Sequence, residues 1–98
     1  MDGAIEEIEF LACSPTRVRI LNELNDESPL TKRELRDRLE GTRTTVSRNL
    51  DALCEREWIE NGNREYAITP SGEAIGGKFT DLTETIRIEQ RLQPFLRW

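Results

Sequence analysis

Thr31-Lys32-Arg33-Glu34-Leu35-Arg36-Asp37-Arg38-Leu39-Glu40-Gly41-Thr42-Arg43-Thr44-Thr45-Val46-Ser47-Arg48-Asn49-Leu50-Asp51-Ala52-Leu53 is the stretch that decides how this sequence folds. It opens with Thr31 three residues ahead of Glu34, the spacing of a capping box, in which each side chain binds the other's backbone N–H. A helix is therefore expected over 31–39. Glu40-Gly41 is expected to end it, with the glycine in a left-handed C-cap. Thr42 begins another helix, in which Val46, Leu50 and Leu53 recur at i, i+4 and i+7, an inward-facing apolar stripe. Two short helices joined by a turn of about three or four residues containing glycine form a helix-turn-helix, here over about 31–57.

Working outward, Ile5, Ile8, Leu11 and Ala12 share one face of a short amphipathic helix over 2–12. Ser14-Pro15 restarts the chain as helix, with serine able to cap and proline suited to the first turn. Val18, Leu21 and Leu24 continue that helix on one face, and residues 25–29 read as a turn. Downstream, Trp58-Ile59-Glu60 and Arg64-Glu65-Tyr66-Ala67-Ile68 flank Asn61-Gly62-Asn63. Asn-Gly between aromatic and β-branched runs predicts a hairpin at about 58–69. Thr69-Pro70 caps a terminal helix that runs to about 91, and Pro94 is expected to stop it. Beyond it Phe95, Leu96 and Trp98 leave large apolar side chains at the end, as where a longer protein continues. The expected fold is mainly α with a small β-hairpin, an α+β arrangement in one domain over 1–98.

Composition narrows the chemistry. In 98 residues, 36% are hydrophobic and 34% charged, which suits one small globular domain. Apolar runs are far too short to span a bilayer and no secretory signal precedes them, so no membrane partner and a cytoplasmic setting are expected. There is no histidine, which excludes imidazole acid–base work, Ser-His or Cys-His nucleophile pairs and His-ligated zinc. Cys13 and Cys54 are far apart and form no C-x-x-C; they read as two small buried residues, not as a redox or metal site. No metal, no cofactor and no enzymatic activity are expected.

The net charge is −5, from 14 basic and 19 acidic side chains. A polyanionic duplex disfavours an acidic partner, but the charge is unevenly spread. Residues 1–28 are net −5, residues 29–50 net +3, residues 51–70 net −3 and residues 71–98 neutral. The basic window coincides with the helix-turn-helix, as an electrostatic footprint for nucleic acid would.

The order helix, helix, helix-turn-helix, hairpin, helix resembles the winged helix-turn-helix transcription regulators, close to the arsenic-sensor and multiple-antibiotic-resistance repressor families. Ser14-Pro15-Thr16-Arg17-Val18-Arg19-Ile20-Leu21 is similar to the family's first helix. Leu30-Thr31-Lys32-Arg33-Glu34-Leu35 is similar to its second, and residues 44–53 to its recognition helix. Tyr66-Ala67-Ile68-Thr69-Pro70-Ser71-Gly72 resembles the strand and helix start after the wing. Arginine outnumbers lysine twelve to two, which looks like a salt-adapted archaeal protein. The stretch 92–98 is similar to the junction in halophilic archaeal regulators, where this N-terminal domain precedes a separate C-terminal sensing domain. That resemblance implies an effector bound outside this chain.

A helix fits the major groove with its N-terminal side chains at base edges. With Val46, Leu50 and Leu53 buried, the opposite face of the third helix carries Thr44, Ser47 and Arg48, flanked by Arg43 and Thr45. Arg48 is expected to reach a base or phosphate. Thr31, Lys32 and Arg36 are expected on the backbone, helped by orphan amides at the helix start. Arg64 is assigned to wing contact with double-stranded DNA. Ile75, Phe79, Leu82 and Ile86 repeat at four, three and four residues, a coiled-coil-like seam; the family resemblance implies that it pairs two subunits, with Ile5 and Ile8 joining in. Gly76-Gly77 either weakens that helix or lets another helix approach. The main alternative is a winged-helix protein-interaction module that does not bind DNA; net acidity favours it and the basic window opposes it.

Overall fold

The computed structural model describes residues 3–39 and 41–96, and their side chains as far as residue 92. Five helices and three short strands follow in the order α1 (Gly3–Ala12), α2 (Pro15–Asp26), β1 (Leu30–Thr31), α3 (Lys32–Leu39), α4 (Arg43–Glu55), β2 (Ile59–Gly62), β3 (Glu65–Ile68) and α5 (Pro70–Leu96). The apolar stripes converge on one core. Ile20, Leu21 and Leu24 of α2 meet Leu35 and Leu39 of α3 and Val46, Leu50 and Leu53 of α4, with Leu11, Leu30, Trp58, Ile59 and Tyr66 closing the shell. Trp58 is buried and packs the hairpin onto this core.

The capping box forms as the spacing requires. Thr31 N–H donates to Glu34 Oε1 at 2.9 Å, and Glu34 N–H donates to Thr31 Oγ1 at 3.1 Å. Both oxygens of that exchange lie at the start of α3, where four amides lack helical partners. Thr31 also belongs to β1, which the periodicity did not predict because it is only two residues long. β1 pairs antiparallel with β3 through Leu30↔Tyr66 and Thr31↔Glu65, so the expected hairpin is part of a three-stranded sheet ordered β1-β3-β2. The sheet ties the start of α3 to Glu65 and Tyr66, the half of β3 next to the tip of the wing.

Several local expectations are corrected. Ser14 occupies the N-cap of α2 but its side chain makes no capping bond; its carbonyl accepts from Arg17 N–H at 3.1 Å and Pro15 stands in the first turn. Among the described residues no glycine has positive φ; a Cβ on Gly41 would press on Val46 Cγ2 at 3.2 Å, so this glycine serves close packing within the turn. Glu40 lies outside the described residues. The hairpin turn is not centred on Asn-Gly. Gly62 pairs with Glu65, and the two turn residues are Asn63 and Arg64, with φ of 50° and 66°. Positive φ at both central positions is the type I′ geometry that matches strand twist; the pairing of Ile59 with Ile68 sets the register, and the turn falls where that register leaves it.

Helix α4 ends in a Schellman motif. Glu57 N–H donates to Cys54 O at 2.9 Å and Trp58 N–H to Leu53 O at 3.2 Å, with Glu57 at φ 61° where glycine is usual. Thr69 then fastens the sheet to α5: its hydroxyl donates to Glu57 O at 2.7 Å and accepts from Gly72 N–H at 3.1 Å. A Cβ on Gly72 would overlap the carbonyl oxygen of Trp58, so this glycine is demanded by close backbone approach. Pro94 does not stop α5, which continues through it to Leu96. The apolar side chains of Phe95, Leu96 and Trp98 lie outside the described ones.

Candidate nucleic-acid interface

The first turn of α3 reaches the N-terminal half of α4. Lys32 Nζ in the first turn of α3 donates to Ser47 Oγ in α4 at 3.2 Å. Arg43, Thr44, Thr45 and Arg48 are exposed beside this contact, while Val46 and Leu50 on the other side of α4 are fully buried. The amphipathic period therefore turns a face of hydroxyls and arginines to solvent. Thr42 caps α4: its Oγ1 accepts from Thr45 N–H at 3.1 Å and donates to Thr45 Oγ1 at 2.8 Å. Thr45 is thus part of the cap as well as of the exposed face. Arg36 is half-buried one turn along α3 from Lys32.

Not every cation of the basic window is on this face. Arg38 reaches back to α2, with NH1 3.3 Å from Glu23 Oε2 and NH2 2.9 Å from Glu27 Oε1. Hydrogen bonds to Glu27 and then Glu23 raise its pKa. Arg19 donates to the carbonyls of Leu39 and Arg38 at 3.4 Å each, covering the C-terminal end of α3. Glu55 is exposed at the far end of α4 and Asp51 is exposed between it and Arg48. The electropositive part of α4 is its N-terminal half.

Arg64 is exposed at the tip of the wing, in the turn itself. Asn63 is a residue type that tolerates the left-handed region, whereas Arg64 beside it takes a cost of about 1–2 kcal/mol. Glu60 is exposed and Glu65 half-buried on the adjoining strands.

The residues assigned to subunit pairing divide into two sets. Ile75 and Phe79 are partly buried against the chain's own core. Leu82 and Ile86 remain 50% and 46% exposed, as do Ile88 at 50% and Leu92 at 45%. Ile5 and Ile8 are 37% and 46% exposed on α1. Between α1 and the first half of α5 lies an apolar groove of about 350 Å³, lined by Ile8, Leu11, Ile75, Phe79 and Leu82. Gly76 brings α5 against α2: a Cβ would meet Leu21 Cβ at 3.3 Å, so the close approach it permits is to a helix of its own chain.

A cluster at the back of α4 escaped sequence reading. Asn49 is buried at 7% exposure, and its Oδ1 accepts from Arg17 Nε at 2.9 Å. Arg17 NH1 also donates to Phe10 O at 2.7 Å. The Phe10 ring lies between two guanidinium groups, 4.0 Å from that of Arg17 and 3.5 Å from that of Arg56, and meets Trp58 edge-on at 5.8 Å. Arg56 in turn donates to Glu7 Oε2 at 2.6 Å. Partners up to 49 residues apart leave no local signal; an asparagine between a buried valine and a buried leucine was the one available clue.

Cys13 is exposed, against the expectation of burial, and Cys54 is half-buried. Burial, and secondarily Asp51, pushes the Cys54 thiol up from its usual pKa. Among the described residues no cluster of carboxylates and thiols has metal-binding geometry, and no helix is long and apolar enough to cross a membrane.

The fold and this face can be set beside known proteins. MepR from Staphylococcus aureus, a transcription regulator of the multidrug efflux pump MepA, superposes with a TM-score of 0.73 at 21% identity, over 90% of this chain and 70% of MepR. Quinone-bound YodB from B. subtilis gives 0.76 at 19% identity, over 89% of this chain and 98% of YodB. A MarR/EmrR family transcriptional regulator from Acinetobacter sp. ADP1 gives 0.71 at 24% identity, over 89% of this chain and 64% of that one. At such identities the likeness is one of fold, the winged helix of these regulators. No curated protein matches the chain. The model of the HVO_A0261 N-terminal domain matches residues 5–91, nearly the whole of what is described above, and the chain belongs to that family.

Proposed function

We propose that this chain is the DNA-binding domain of a transcription regulator, working as a twofold homodimer on double-stranded DNA in a halophilic archaeon, and not an enzyme. The observation that carries the reading is the convergence of α3 and α4 at Lys32 and Ser47, with Arg43, Thr44, Thr45 and Arg48 exposed around it. The N-terminal half of α4 enters the major groove, where Arg48 reads a base edge and the threonine and serine hydroxyls complete the contact. The amides and side chains at Thr31, Lys32 and Arg36 hold phosphates, which fixes register without reading sequence. Asp51 and Glu55 tilt the C-terminal half away. The exposure of Arg64 at the tip of the wing supports a wing contact. Subunits pair through Leu82 and Ile86 of α5, with Ile5 and Ile8 of α1 alongside, while Ile75 and Phe79 seat the helix on its own core. An effector is sensed by a domain outside this chain, in keeping with a family described as an N-terminal domain.

Genome-wide occupancy of the tagged protein in its host, followed by titration of the recovered fragments, tests this. Discrete sites bound at least about 10³-fold more tightly than scrambled duplex are expected. Uniform weak binding with no enriched site would favour the protein-interaction module that the net charge of −5 suggests.

A further inference from the structure

We propose that Arg17 is a positioning residue for DNA recognition: it locks α1 to the middle of α4, so that the seating of α1 sets the angle at which α4 presents Arg48. The inference rests on the DNA-binding reading above. Arg17 bonds both ends of this link, Phe10 O in the last turn of α1 at 2.7 Å and Asn49 Oδ1 in α4 at 2.9 Å. Asn49 directly follows Arg48 in sequence. It is the buried polar residue of the described core, so its carbonyl oxygen must be matched inside the protein and α4 follows its partner. Phe10, held between Arg17 and Arg56, and the Glu7–Arg56 ion pair fasten the same α1 to the C-terminal cap of α4. Helix α4 is thereby tied to α1 at two points about one and a half to two turns apart, one of them through Arg17 in the first turn of α2. A side-chain tip lies roughly 6 Å from a helix axis, so a 10° roll of α4 moves it by about 1 Å. Hydrogen bonds tolerate only a few tenths of an ångström; such a roll disengages base contacts but leaves phosphate contacts made by flexible cations. The outer face of α1 carries exposed Ile5 and Ile8 beside the apolar groove, so whatever packs on that face is felt at Arg48 through Arg17.

The test compares Arg17→Met, which keeps the stem and removes the guanidinium, with the pair Arg17→Met/Asn49→Leu, which also removes the orphaned oxygen. The single variant loses stability because a buried acceptor goes unmatched; the pair recovers it, since replacing both partners by apolar groups is close to neutral. Two readouts are taken on the stable pair. Hydrogen exchange of the α1 amides is expected to be at least 10-fold faster than in the wild type, with the core of α2 and α4 unchanged. The ratio of specific to scrambled-duplex affinity is expected to fall at least 10-fold, through loss of specific binding alone. Unchanged exchange in α1, or a specificity ratio that recovers along with stability, overturns the positioning role. In either of those cases wild-type specificity remains and the DNA-binding reading stands. A wild type that discriminates no fragment overturns both, while faster α1 exchange in that same experiment would still be read from the protein alone.

Discussion

Lys32 bonds Ser47, the residue before Arg48, yet Lys32 and Arg48 answer to different physics. Arg48 is exposed on α4 and forms a bidentate contact only if a guanine lies opposite, so Arg48→Ala is expected to cost about 1–3 kcal/mol of specific affinity with the fold intact. Titration against cognate and mutated sites checks this; equal affinity for the variant removes Arg48 from the interface. Lys32, bonded to Ser47, is expected to act on phosphate: Lys32→Ala weakens all sequences about equally and flattens the salt slope by about one unit. A loss confined to one base position would make it a base reader instead. Glu57 tests the backbone. It holds the left-handed position of the Schellman motif, and Glu57→Gly is expected to stabilise the fold by about 1 kcal/mol, seen as a raised thermal midpoint. A lowered midpoint would mean that the glutamate side chain contributes more than its backbone costs.

At the scale of elements, the start of α3 carries a pH dependence. The Thr31 backbone amide and then its hydroxyl hold the Glu34 carboxyl below its usual value. A carboxylate lowered in the folded state stabilises above its unfolded pKa, and that contribution is lost as pH falls through the folded one. The wild type is therefore expected to lose stability in the acid range, at and below the usual carboxylate values, more steeply than Glu34→Gln, which cannot titrate. Parallel melts of the two across that range decide it. Helix α5 is the second element under test. Its second half projects from the body, since every described residue from 84 to 92 is exposed. Leu82→Glu with Ile86→Glu places four like charges in a twofold seam and is expected to give a monomer in sedimentation with unchanged circular dichroism, both side chains being about half exposed already. Phe79 is the wrong place for such a probe, because it packs on the core. A wild type that is monomeric at high concentration would take α5 out of pairing.

For the whole molecule the deciding variable is salt. Net charge is −5, and Arg38 of the basic window is engaged by Glu23 and Glu27. At about 1 M salt the Debye length is about 3 Å, so long-range repulsion of DNA by an acidic surface is screened and contact-range terms remain. Specific binding is expected to survive in ~1 M potassium salt, with a log K against log salt slope shallower than the roughly −4.5 of five phosphate-neutralising cations. The fold is expected to loosen in dilute buffer, where surface carboxylates repel one another unscreened. Paired titrations across salt, one of DNA binding and one of circular dichroism, measure both. A domain folded in dilute buffer whose DNA binding is gone above ~0.3 M salt would contradict adaptation to high salt.

Periodicity and local chemistry were enough for much of this protein. The stripe Val46, Leu50, Leu53 placed α4 and its exposed face, because burial in a helix repeats every 3.6 residues whatever surrounds it. Thr31 and Glu34 placed the start of α3, because a capping box closes within one turn. The candidate DNA face was legible for the same reason: Arg43, Thr44 and Arg48 are what the stripe leaves outside. Tertiary structure alone decided what depends on distant partners. It moved the hairpin turn to Asn63-Arg64 through the Ile59–Ile68 register, added β1 by pairing it with β3, and directed Arg38 to α2 rather than to the exposed face. It split the α5 seam, seating Ile75 and Phe79 on the core and leaving Leu82 and Ile86 outside, where one helical stripe could not say how far the body of the protein extends. And it joined Arg17 to Asn49, 32 residues away, since a hydrogen bond forms wherever packing brings donor and acceptor together and sequence spacing carries no trace of it.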